Sequence, residues 1–175
     1  MDVRRVVTGK TAEGKSVFVS DEMVPPITPI LTPGAEFHTI WGSDVVTKLP
    51  QDGTMPSFTQ WFPPPGGYRI GLFSVAPAST PAPLIGDIAA AFQDLESKLP
   101  GLAGHMEPDA PGMHTTQTID VEYVLSGEVW LELDDGAEVR LGPGDTVVQN
   151  GTRHVWRNKG DVPCVMVLAL IGAEA

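Results

Sequence analysis

Two stretches of this sequence carry side chains that could do chemistry together. The first, Gly112 to Gly127, holds His114, Thr116, Asp120 and Glu122; the second, Gly144 to Asn158, holds Gln149, His154 and Trp156. Imidazole nitrogens and carboxylate oxygens suit Fe, Mn, Ni, Zn or Cu as divalent ions. Asp120 and Glu122 are two residues apart, so on one strand they share a face. Two carboxylates turned inward beside two His are costly without a cation or a change of protonation. The pattern therefore admits two chemistries. One is a transition-metal site; the other is a metal-free polar pocket in which Asp120 and Glu122 are a general acid and base with separated pKa values.

The elements that must position these groups read mostly as strands. Ser16 to Ser20, Phe37 to Gly42, Tyr68 to Val75, Val121 to Leu125, Val129 to Leu133, Thr146 to Gln149 and Val162 to Ile171 carry β-branched, aromatic or alternating residues. Ser126-Gly127-Glu128, Asp134-Asp135-Gly136 and Gly142-Pro143-Gly144-Asp145 read as turns between them. One helix is predicted from Asp87 to Leu99, with Ile88, Phe92, Leu95 and Leu99 as its apolar face, Asp87 as cap and Pro100-Gly101 as stop. Trp156, two residues after His154, should face the same way and wall a pocket. Tyr123 has the opposite parity and should point away.

Bulk properties agree with many short strands and exclude several partners. The 175 residues fit one domain, and 19 Gly with 17 Pro favour turns over long helices. A formal net charge of −11 argues against nucleic acid or an anionic membrane as partner. The single Cys, Cys164, lies in an apolar run and reads as a buried small hydrophobe. No apolar segment follows Met1-Asp2-Val3-Arg4-Arg5, so a cytoplasmic address is the default expectation. Glycine-rich phosphate loops and Gly-x-Ser-x-Gly elbows are missing.

The two stretches resemble the paired motifs of the cupin superfamily. His114 falls on the family's first metal-ligand position and His154 on the last, with Asn158 four residues on. Thr116 replaces the second His, Asp120 replaces the Glu seven before Gly127, and Gln149 stands where Pro is usual. Val6-Val7-Thr8-Gly9, Pro63-Pro64-Pro65-Gly66-Gly67 and Val148 to His154 further resemble small single-domain RmlC-like cupins with an N-terminal extension, a subgroup without a well-defined reaction.

The resemblance implies an all-β fold, a single jelly-roll barrel (a double-stranded β-helix) with one outer helix. One domain would cover residues 1–175, with an extension over 1–100 and the core motifs over 105–172. It implies His114, His154 and Asp120 as metal ligands, although Asp is a methylene shorter than Glu and Glu122 is the alternative. The spare carboxylate would transfer protons. Thr116, Trp156, Gln149 and His105 would line the pocket, His105 from a loop over the barrel mouth. His38 is expected in the core or on the surface, and Arg153 as a solvated turn residue. The implied function is a metal-dependent oxygenase, isomerase, dehydratase or decarboxylase acting on a small cyclic or acidic metabolite, in a homodimer. The rival is a metal-free barrel that only binds a small molecule.

Overall fold

In the computed structural model, which describes residues 1–174, inward and outward side chains alternate along most of the extended chain. Its elements are β1 (Arg4–Lys10), β2 (Ser16–Met23), β3 (Phe37–Ser43), β4 (Tyr68–Val75), α1 (Ile88–Lys98), β5 (Thr118–Ser126), β6 (Val129–Glu132), β7 (Glu138–Leu141), β8 (Thr146–Asn150), β9 (Val155–Arg157) and β10 (Cys164–Gly172). Strands β3-β4-β10-β5-β8 form one antiparallel sheet, β7-β6-β9 a second, and β1-β2 a separate hairpin. This is the all-β barrel with one outer helix that the sequence predicts. No helix among the described residues is long and apolar enough to cross a membrane.

Strand parity decides what the barrel encloses. On β5, Thr118, Asp120, Glu122 and Val124 are buried, while Ile119 and Tyr123 are exposed. On β10, Cys164, Met166, Leu168 and Leu170 are buried. The register then sets rows across the sheet: Gln149, Asp120, Leu170 and Arg69 in one, Val147, Glu122, Leu168 and Gly71 in the next. Val124, Val129, Leu131, Leu141, Met166 and Leu168 form the core with Leu95, Leu99 and Leu102 from the helical side. Full burial of Leu99 alone contributes about 1.5–3 kcal/mol.

The first hundred residues are more than a wrapping. β3 and β4 hydrogen-bond into the main sheet through β10, so the barrel is not confined to residues 105–172. β1 is a strand that the sequence left unassigned; Arg4, Arg5 and Lys10 interrupt its pattern, and pairing with β2 supplies the order. The helix also differs from expectation. Asp87 caps it by accepting from the Ala89 and Ala90 amides, but Ile88 and Phe92 are exposed. Ala91, Leu95 and Leu99, spaced by four, form the buried stripe, because an outer helix covers only one narrow face.

Two motif residues hold the turns. Gly127 has φ +73°, and a Cβ there would lie 2.4 Å from the Pro163 carbonyl oxygen, so only glycine fits. The Asn158 amide donates to the carbonyls of Val75 and Val162, both at 2.8 Å, and its oxygen accepts from the Gly160 amide. It thereby ties the β9–β10 turn to the end of β4. Asn158→Ala leaves two carbonyls without that donor and should cost about 2–4 kcal/mol. Urea unfolding is the check: the midpoint should drop at unchanged slope, and a midpoint equal to wild type would refute the role.

Candidate functional site

His114 and His154 lie directly opposite one another. Each amide donates to the other's carbonyl, at 3.0 and 2.9 Å, and the ring centroids are 4.2 Å apart. His114 Nδ1 is 2.9 Å from the Gly112 carbonyl, and His154 Nδ1 is 2.8 Å from that of Thr152. A carbonyl can only accept, so Nδ1 carries the proton in both rings and each Nε2 keeps its lone pair. Burial holds both imidazoles below their ordinary range; with the His114 charge adding to it, His154 falls to about 4. Both rings are therefore neutral at pH 7.

Asp120 and Glu122 enter the same cavity from β5. Asp120 Oδ1 and Glu122 Oε2 are buried without any hydrogen-bond partner. Burial pushes both carboxyls up, and the Asp120 charge helps carry Glu122 to about 8. The Thr118 and Thr116 hydroxyls pull Asp120 back toward its ionised form. The pair thus shares a proton, held on Glu122.

Around these four groups the cavity, of about 360 Å³, is largely apolar. Phe37, Trp61, Phe62, Phe73, Met106, Trp156, Leu168 and Leu170 line it, and no Lys or Arg does among the described residues. Trp156 is on the wall as its parity predicted, and Tyr123 is exposed on the outer face. The structure does not put Thr116 or Gln149 on that wall. Thr116 accepts from the Thr118 hydroxyl behind Asp120, and Gln149 accepts from Thr152 Oγ1 at 2.6 Å. His105 is likewise displaced into a neighbouring depression, where Nδ1 meets the Thr115 carbonyl and Phe62 separates it from His114. His38 is fully buried against the Val24 carbonyl, outside the cavity.

Arg153 does more than a solvated turn residue would. It pairs with Glu107 through two nitrogens, each at 2.7 Å, and with Asp134 at 2.8 Å, anchoring the loop that precedes His114. Sequence reasoning missed Phe37, Trp61, Phe62 and Phe73 as wall residues. The inward parity of Phe73 was the available signal; Trp61 and Phe62 lie outside regular strands and gave none.

The donors were tested as a metal site. Among the described residues no group of three or more His, Cys, Asp or Glu side chains could hold a metal ion. The imidazoles make a close pair, but the carboxylates are not gathered with them. A third ligand would have to move in.

Comparison with known proteins adds a family and distant relatives. Residues 104–170 match the cupin domain family Cupin_2. Phomopsin biosynthesis cluster protein C' of Diaporthe leptostromiformis is 51% identical over 47 residues, 27% of this chain and 25% of that protein. The chain thus spans about a quarter of that relative's length. The cupin-domain-containing oxidoreductase srdB of Neurospora crassa is 33% identical over 114 residues, 61% of this chain and 58% of that one. A Cupin 2 conserved barrel domain protein from Salinispora arenicola overlays with TM-score 0.43 at 14% identity, covering 82% and 80% of the two chains.

The protonation pattern has a consequence for stability. Glu122 rises from an ordinary value of 4.5 to about 8, so the folded state keeps a proton that the unfolded chain releases. Its stabilisation is complete at low pH and is lost as pH climbs toward 8. His154 works the opposite way, because its depressed value costs stability only as pH falls from 6.5 toward about 4. From pH 6.5 to 8 stability should therefore fall by about 1–2 kcal/mol. Thermal melts of Glu122→Gln should show a flatter profile across that window. A slope identical to wild type would rule out Glu122 as the proton holder.

Proposed function

Through residues 104–170 the chain belongs to the cupin superfamily, and we propose that its cavity binds a small organic molecule and moves a proton on it without a resident metal. The observation that carries this reading is the set of four titratable side chains lining one otherwise apolar cavity. Their environments drive acid and base apart. Glu122 is a carboxylic acid that can donate to a developing oxyanion, and His154 has a free Nε2 lone pair that can accept from carbon or hydroxyl. His114 holds the same tautomer beside it, and aromatic side chains line the rest of the cavity. An acid and a base in one largely apolar cavity suit isomerisation or dehydration. Kinship to a biosynthesis-cluster protein supports a metabolite as substrate.

A second reading is favoured by the two Nε2 lone pairs facing one cavity: a divalent transition metal between His114 and His154, with a carboxylate moving in. It suits the oxidoreductase relative. Elemental analysis separates the two. After reconstitution with Fe, Mn, Ni, Zn or Cu, less than about a tenth of an equivalent should remain bound. One equivalent, lost in a folded His154→Ala variant, would overturn the metal-free reading. The positive arm follows deuterium incorporation beside the carbonyl of small cyclic ketones in D₂O by NMR. Glu122→Gln and His154→Ala should each slow it about a hundredfold.

A homodimer belongs to the same proposal. The outward positions Ile70, Ile119, Val121, Tyr123, Val148, Val165, Val167 and Ile171 carry no charge on a chain of net charge −11. A net negative charge disfavours association in general, so this uncharged sheet face is where two copies would meet. Light scattering should find a dimer that Val148→Glu converts to a monomer; a monomeric wild type would discard it.

A further inference from the structure

Resting on the reading of the cavity as a small-molecule site, we propose that its ligand is a small organic cation, an aromatic or cyclic amine bound as its ammonium. Asp120 is 3% exposed and Glu122 4%, and each presents a carboxyl oxygen with no partner. Both line the cavity. An unpartnered buried carboxyl oxygen is costly unless something in the occupied state donates to it, and an ammonium supplies three such donors.

Among the described residues no Lys or Arg lines the cavity to do so. Arg69 shares the sheet row of Asp120, but Leu170 stands between them. Its terminal nitrogens are taken by Asp44 and by the carbonyls of Ser43, Tyr68 and Gln60. Arg153 is committed to Glu107 and Asp134, and Arg157 to Glu132 and the Pro111 carbonyl. An acidic metabolite would therefore meet two acids and no counter-charge. That removes the acidic class from the sequence expectation and keeps the cyclic one.

The walls favour the same ligand. Ring contacts run continuously from Trp61 to Phe37 (centroids 5.7 Å), Phe73 (6.3 Å), Trp156 (6.4 Å), His154 (6.0 Å), His114 (4.2 Å) and Phe62 (6.4 Å). Aromatic rings attract a cation that sits over a face and pack against a ligand ring.

The test uses chelator-treated full-length protein and three near-isosteric probes, benzylammonium, benzyl alcohol and benzoate, titrated at pH 7 by calorimetry and tryptophan fluorescence. Benzylammonium should bind at least tenfold more tightly than benzyl alcohol, and benzoate should not bind. Asp120→Asn should reduce benzylammonium to the level of the alcohol and leave the alcohol unchanged, which also reports that the variant is folded. If that variant does not fold, the wild-type order of the three probes decides alone. Equal affinities, or benzoate binding best, would overturn the cation while the small-molecule cavity survives. Failure of all three probes to bind or change fluorescence would remove both readings.

Discussion

The site depends on one backbone interaction, the reciprocal pairing of His114 with His154. Two amide–carbonyl bonds, one in each direction, clamp residues forty positions apart into register. Directly opposed residues bring their side chains together, and the pairing fixes where both rings start from the backbone. Each Nδ1 is then bound to a carbonyl two residues upstream, Gly112 for one and Thr152 for the other. Tautomer, ring orientation and free lone pair all follow from main-chain geometry. The salt bridge from Arg153 to Glu107 protects that geometry from outside, since it holds the loop feeding into His114.

Against this fixed pair the carboxyls are a liability that the fold tolerates. Replacing Asp120 and Glu122 by apolar residues would remove two orphaned oxygens from the barrel interior, and nothing in the packing requires acids there. Their neighbours Leu168 and Leu170 would pack as readily against aliphatic side chains. These acids therefore give up stability, as functional groups commonly do. The perturbed protonation of both acids expresses that cost in a different form.

How much of this was legible in the sequence differs between its halves. His114, His154, Asp120, Glu122 and Trp156 could be placed because strand parity and motif spacing act locally, over a few residues. Thr116 and Gln149, pocket candidates from the motif resemblance, are buried, yet they pack behind Asp120 rather than on the cavity wall, because depth along the barrel is not encoded by motif position. Trp61 and Phe62 could not be placed at all. They follow an irregular segment, and their position is set by contacts such as the Trp61 amide to the Pro100 carbonyl, which no periodicity announces. The helix and its Asp87 cap were legible, but its apolar residues outnumber those the barrel can cover, so pattern placed Leu95 and Leu99 correctly and Ile88 and Phe92 wrongly.

The cavity is consequently a composite of two parts with different information content. All four titratable groups come from within residues 104–170, the segment that matches the family. Four of its five Phe and Trp wall residues, Phe37, Trp61, Phe62 and Phe73, come from before it. A relative that matches only the motif segment matches the stretch that carries the four titratable groups and not the segments that supply most of the ring wall. Likeness over that stretch therefore speaks to the fold and not to the identity of a ligand. The shape of the cavity is set largely by the segments from β3 to β4, outside the family match.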